Sequence, residues 1–223
     1  MDRLLQAILD DDRAAVKKLL KQDSTLVAQG FQQPILYQSR IFHWLYVGDT
    51  TLHLAAAGYR AEIAKLLIAA GADPNSVKNH RWSGPLHYAA DGFITEPDYD
   101  SRHQVKMIEC LLSAGAAVNA ADKNGATPLH RAVRTRSAAA VKYLLAAGAD
   151  AKLRNNSGST PFHLAVQNTG RGGSGAKAAI AAQREIIETL LAAKVSTSLK
   201  DGSGKTVLDC ARSGWIRDLL NSE

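Results

Sequence analysis

Apolar positions along this chain recur with the 3.6-residue period of amphipathic helices, in short bursts rather than long runs. Six bursts share one form, a β-branched residue, two spacers and two leucines: Val16–Leu20, Ile63–Leu67, Ile108–Leu112, Val141–Leu145, Ile187–Leu191 and Ile216–Leu220. Each buries positions i, i+3 and i+4 of a helix. Three of them end in a glycine triplet, Gly71-Ala72-Asp73, Gly115-Ala116-Ala117 and Gly148-Ala149-Asp150, where glycine supplies the left-handed C-cap. A shorter helix precedes four of the bursts. It opens as Thr50-Thr51-Leu52-His53, Gly84-Pro85-Leu86-His87, Thr127-Pro128-Leu129-His130 or Thr160-Pro161-Phe162-His163, with a worn copy at Thr206-Val207-Leu208-Asp209. Threonine suits the N-cap, and proline suits the first helical position, where no N–H is needed. The small pairs that follow, such as Ala55-Ala56 and Ala89-Ala90, let neighbouring helices approach closely. A turn such as Ala121-Asp122-Lys123-Asn124-Gly125 carries the chain into the next unit.

The unit is therefore a repeat. The apolar residue before the motif histidine, or before Asp209 in the worn copy, recurs after 34, 43, 33 and 46 residues, so two intervals are a bare repeat of 33 or 34 residues and two carry insertions. On these residues the sequence resembles the ankyrin family over almost its whole length. The resemblance implies an all-α solenoid of about six stacked helix–turn–helix repeats joined by β-hairpin-like loops, forming a single domain over 1–223 with repeats near 1–27, 47–75, 81–119, 124–152, 157–198 and 200–223. The first repeat has Leu4-Leu5-Gln6-Ala7 in place of the histidine motif and the last has a shortened second helix, as terminal units that face water require. The resemblance also gives Thr50, His53, His87, Thr127, His130, Thr160 and His163 a structural role, the histidine bonding the motif threonine and neighbouring backbone.

Three insertions interrupt the period. Residues 30–46 hold five aromatics, Phe31, Tyr37, Phe42, Trp44 and Tyr46. They extend the first hairpin either as a contact surface, since aromatics dominate interface hot spots, or as a cover over the weak first repeat. Residues 92–102 are acidic, and 168–182 begin Gly-rich and end as a strong helix former from Lys177. These two fall between the helices of their repeats and emerge on one edge, roughly 20 Å apart, as a second binding surface or as tolerated loop growth.

Composition changes this picture little. The 223 residues carry a net charge of +6, and all of the excess lies beyond residue 75. That permits an acidic partner or nucleic acid, or only aids solubility. Cys110 and Cys210 form no CxxC pair, which fits a reducing, cytoplasmic setting. Neither a signal peptide nor an apolar run long enough for a membrane span is present.

Motifs with catalytic associations fail on inspection. Gly202-Ser203-Gly204-Lys205-Thr206 has Leu199 where a phosphate-binding loop needs its first glycine. The motif histidines form a ladder rather than a cluster, and no HExxH occurs. No catalytic residue, metal or cofactor is expected. The resemblance places partners in a concave groove formed by hairpin tips and first helices. By register these are Asn79, His80, Arg81, Trp82, Lys123, Asn124, Ala126, Arg154, Asn156 and Ser157 on the hairpins, and Asp91, Arg134, Thr135 and Gln167 on the first helices. The expectation is a monomeric, non-catalytic protein-interaction module. A structural scaffold or inhibitory subunit is the alternative, and nucleic-acid binding through the basic C-terminal two-thirds ranks below both.

Overall fold

The computed structural model describes residues 2–37, 41, 43–92, 99–167 and 177–221. Contacts divide the chain into two compact units: Met1–Ala89 with Arg102–Lys123, and Ala90–Ser101 with Asn124–Glu223. The first unit holds α1 (Asp2–Leu9), α2 (Arg13–Gln22), a 3-10 turn (Ser24–Ala28), β1 (Ile35–Leu36), β2 (Trp44–Leu45), α3 (Thr51–Ala57), α4 (Ala61–Ala69) and nearly all of α5 (Pro85–Ala90) and α6 (Ser101–Ser113). Here α1 packs on α2 and α3, and α4 on α2 and α3. The second unit holds α7 (Pro128–Arg134), α8 (Ala138–Ala146), α9 (Pro161–Ala165), α10 (Lys177–Ala192), α11 (Val207–Cys210) and α12 (Gly214–Asn221). In it, α7 packs on α8 and α9, α10 on α8 and α9, and α11 on α9. Among the described residues no helix is long and apolar enough to cross a membrane.

The bursts read from the sequence are the buried stripes of the second helices: Val16 and Leu20 in α2, Ile63 and Leu67 in α4, Ile108 and Leu111 in α6, Val141 and Leu144 in α8, Ile187 and Leu191 in α10, Ile216 and Leu220 in α12. Where glycine closes the helix its φ is 98° at Gly71, 89° at Gly115 and 90° at Gly148. The next N–H then returns to a carbonyl of the last turn, as in Ala72 to Leu67 at 2.9 Å and Ala149 to Leu144 at 2.9 Å.

The motif histidines bind the helix starts together. His53 Nδ1 accepts from the Thr50 N–H at 3.0 Å and its Nε2 donates to the Ser83 carbonyl at 3.0 Å. The pattern repeats at His130, with Thr127 and Ser159, and at His163, with Thr160 and Lys205. Each ring thus caps its own helix and ties it to the turn of the next repeat, in one fixed tautomer. Burial depresses the pKa of His53, which keeps that ring neutral. It lies 3.7 Å from Asp49, but its proton is already committed to Ser83.

The first insertion extends the hairpin, as expected, and buries part of its apolar surface. β1 and β2 pair antiparallel with Ile35 opposite Leu45, which lengthens the hairpin. Phe31, Ile41 and Leu45 are buried, with Ile41 close against Gly58 in the α3–α4 turn. Trp44 remains 48% exposed. Phe42 lies outside the described residues.

The other two insertions are described only at their ends, where each lengthens a second helix. α6 has 13 residues and α10 has 16, against 9 for α4 and α8. In the uninterrupted repeats, the carbonyl two residues after the motif histidine accepts a backbone N–H from the tight interhelical turn: Arg60 to Ala55, and Ser137 to Ala132, both at 2.9 Å. The equivalent carbonyls in the interrupted repeats, Ala89 and Ala165, accept from side chains on the lengthened helices. Gln104 Nε2 donates to Ala89 at 2.9 Å and Gln183 Nε2 donates to Ala165 at 2.7 Å. Both glutamines are buried.

Candidate protein-interaction surface

In the first unit three successive turns, near residues 46–49, 78–82 and 121–123, lie against one another. A Cβ on Gly48 would overlap the Lys78 carbonyl, so only glycine allows that approach. The Lys123 N–H bonds the Arg81 carbonyl at 2.8 Å. Asn79 organises the middle turn: its Oδ1 accepts from Arg81 N at 3.0 Å and Ser83 N at 3.1 Å. Its Nδ2 donates to the Ser83 carbonyl at 2.6 Å and to Asp49 Oδ1 at 2.7 Å. Asp49 is fully buried. Its Oδ2 accepts from the Tyr88 hydroxyl at 2.6 Å and the Tyr46 N–H at 2.7 Å, so its charge is met by hydrogen-bond donors on both oxygens, as a buried carboxylate requires.

Around this buried node the exposed side chains are apolar and basic. Arg81 Nη1 donates to the Tyr46 hydroxyl at 2.7 Å, its guanidinium lies 5.0 Å from the Tyr46 ring centroid, and the His80 ring meets the same tyrosine edge-on at 5.1 Å. Trp82 is 57% exposed. Lys78, His80 and Lys123 are exposed and Arg81 is half-buried.

In the second unit the turns follow the same plan. Asn155 Oδ1 accepts from Ser157 N and Ser159 N, both at 3.0 Å, as Asp201 Oδ1 does from Ser203 N at 2.8 Å and Lys205 N at 3.0 Å. The hydrogen bond from the Ser203 hydroxyl leads the effects that lower the Asp201 pKa to about 2. The glycine-rich segment before Thr206 is thus a turn whose donors are used internally. Arg154 spends its guanidinium on the Gly158 and Lys200 carbonyls. Asn124, Asn156 and Ser157 are exposed, while Ala126 is half-buried.

Four expected contact residues are placed differently from the sequence reading. Asn79 is 1% exposed, because it is the turn's hydrogen-bonding centre. Asp91 is buried since its carboxylate pairs with Arg131 at 3.0 Å and lies 3.8 Å from Arg134. Thr135 is half-buried, its hydroxyl accepting from the Gly92 N–H at 2.8 Å and donating to the Arg131 carbonyl at 2.9 Å. Gln167 is half-buried and its carbonyl accepts from Gln183 at 3.3 Å. Arg134 alone of the first-helix candidates is exposed, its side chain at 51%. The sequence reading passed over Asp49, Tyr88, Lys78 and Arg131. The signals were there: a carboxylate directly before the motif threonine, and an arginine directly after the motif histidine.

Among known proteins, a family model of the ankyrin repeat matches residues 47–79 and 84–123, and a model of ankyrin repeats in many copies matches residues 111–165. Together these cover more than half of the chain. Ankyrin repeat and SOCS box protein 6 of Mus musculus is 31% identical over 111 residues, 50% of this chain and 22% of that protein. Alpha-latrotoxin-Lt1a of Latrodectus tredecimguttatus is 38% identical over 88 residues, 39% of this chain and 6% of the toxin. The ARF GTPase-activating protein Git of Drosophila melanogaster is 38% identical over 81 residues, 36% of this chain and 10% of Git. The chain spans about a quarter or less of these relatives.

Proposed function

The chain belongs to the ankyrin-repeat family, and from that premise we propose that it is a non-catalytic protein-interaction module of six repeats. It binds a partner protein through its hairpin turns and the exposed face of its first helices. The observation that carries this reading is the division of labour among polar side chains. The groups with chemical potential, His53, His130, His163, Asp49 and Asp91, are buried and engaged in holding repeats together. What the turns present to solvent is aromatic, basic, amide or hydroxyl: Trp82, Lys78 and Lys123 in the first unit, Asn124, Asn156 and Ser157 in the second. Tryptophan and arginine are over-represented among interface hot spots. Turns fixed by Asn79, Asn155 and Asp201 leave little to order on binding.

Ankyrin repeats generally serve as protein-interaction modules, and this chain is read as a monomer acting in the cytoplasm. Its free cysteines support a reducing setting; burial pushes the Cys110 and Cys210 thiols above their usual pKa. The test is selection of binding peptides from a random display library on the intact chain, with the contacts mapped by hydrogen exchange. Protection that falls on the turns and first helices supports the reading. Failure to select any binder, or protection only on the backs of the second helices, overturns it.

A further inference from the structure

We propose that the three stacked turns of the first unit take an acidic peptide segment carrying one large apolar side chain, with Trp82 as the contact for that side chain; the inference rests on the interaction role proposed above. The first ground is the backbone at Trp82. Its φ is 53°, while the residues at the same place in the later turns are Gly125, Gly158 and Gly204 with φ of 72°, 73° and 81°. The left-handed region is open to glycine and strained for a bulky residue. The other described non-glycine residues with positive φ, Asp11, Tyr59, Arg136 and Lys194, lie between paired helices or just beyond a helix end. Trp82 alone among them stands in a turn that opens a first helix. The fold accepts strain there and gains only partial burial of the indole, which is 57% exposed. Strain kept without a folding return points to a surface role.

The second ground is where exposed apolar area gathers. Five large hydrophobic residues are exposed among those described, and four of them, Trp44, Val47, Val77 and Trp82, lie on or beside the first two of these turns; only Leu208 lies elsewhere. The third ground is charge. Lys78 and Lys123 are exposed and the Arg81 fork is held against Tyr46. The two carboxylates within the same turns, Asp49 and Asp122, are both buried. An incoming carboxylate therefore meets three cations and no exposed anion at residues 44–49, 76–84 and 120–123. Arg81, preset by its tyrosine, offers a charge-assisted contact at little ordering cost. Single-stranded nucleic acid also stacks on aromatics, but its binding follows a positively charged groove along a run of nucleotides, whereas these turns gather three cations around one exposed tryptophan.

The experiment selects random dodecapeptides displayed on phage against the intact wild-type chain. Recovered peptides are synthesised with a fluorescein label, and their affinity for wild type, W82G and the K78E/K123E double variant is measured by anisotropy at low and high salt. W82G is chosen because glycine is what the fold places at this position elsewhere, so the variant keeps its helical circular dichroism and thermal midpoint. The expected peptides carry Asp or Glu around one Trp, Phe, Leu or Met. The expected affinity loss is about tenfold or more in W82G, in keeping with hot-spot truncation, and severalfold in K78E/K123E, with weakening by salt. Peptides that bind wild type and W82G equally overturn this inference and leave the interaction role standing. A library that yields no binder removes both. Binding of a labelled oligothymidine that W82G abolishes, with no acidic peptide selected, overturns the inference in favour of nucleic acid.

Discussion

Replacing Gln104 with methionine tests the account of the lengthened repeats. The Gln104 side chain is fully buried and donates to the Ala89 carbonyl at 2.9 Å. Methionine keeps the length and the unbranched shape of glutamine, so packing changes little while the donor is lost. A buried carbonyl deprived of a donor costs about 1–3 kcal/mol. For a chain of this size each kcal/mol lowers the thermal midpoint by roughly 2–4 °C, so Gln104→Met melts roughly 2–12 °C below wild type. The assay is thermal and urea unfolding followed by circular dichroism, with Gln22→Met, at an exposed helix position, as the control expected within about 0.5 kcal/mol of wild type. Gln104→Glu adds a pH signature. Burial beside a carbonyl raises the carboxyl pKa above its unfolded value of about 4.3, and the protonated acid can donate where the ionised one cannot. Its deficit is therefore smallest below about pH 4.3 and grows as pH rises through the folded-state pKa. If Gln104→Met matches Gln22→Met, and Gln104→Glu shows no such slope, the Gln104 hydrogen bond does not hold the lengthened repeat together.

Three further outcomes follow from the same structure. Asp91→Leu strands the buried Arg131 guanidinium, whose side chain is 5% exposed, and costs about 3–5 kcal/mol, whereas the Asp91→Leu/Arg131→Met double variant recovers most of it; urea unfolding of the two separates pairing from packing. His53, kept neutral by burial that lowers its pKa, adds stability above pH ~6.5 that is lost as pH falls toward its folded-state value, by at most about 1.4 kcal/mol per pH unit; a His53→Gln variant flattens that part of the stability profile between pH 7 and 5. Trp82→Gly relieves a left-handed strain on the order of 1 kcal/mol and melts no more than about 2 °C below wild type; a large drop in its midpoint identifies the indole as a folding residue.

The repeat architecture was legible because three correlated signals, the Thr-x-Leu-His start, the Ile/Val–Leu-Leu stripe and the glycine stop, each answer to local chemistry: capping, period and φ. The candidate surface was legible only in part. Register locates a turn correctly but does not tell which of its polar residues turns inward. Asn79 and Arg81 stand two apart in the same turn; one is its hydrogen-bonding centre and the other is held at its surface by Tyr46. Asp91 and Arg131, 40 residues apart, form a buried pair that no single-repeat pattern could reveal, since each looks solvated in its own repeat. Gln104 and Gln183 could have been found by asking which side chain of a lengthened helix stands level with the carbonyl two residues after the motif histidine.

A repeated fold carries its own control, because each position can be compared with the same position in the other units. The departures from the common pattern then separate by what they do. Gln104 and Gln183 donate to the carbonyls that take a turn N–H in the uninterrupted repeats. Asp49 is satisfied by Asn79, Tyr46 and Tyr88, and Arg131 pairs with Asp91, so these polar departures are buried and engaged inside the fold. Lys194 takes a left-handed helix end that glycine holds elsewhere, but a flexible chain reaching into water there has little to lose. Trp82 fits none of these cases. It repairs no hydrogen bond, sits in a backbone state the other turns give to glycine, and leaves more than half of its surface in water. A large side chain more than half exposed, maintained against the local preference of the backbone and bordered by cations whose neighbouring carboxylates are buried, is best explained by what it touches outside the chain. That is why the proposed contact is placed on the first unit's turns rather than spread over every exposed first-helix residue that register alone would nominate.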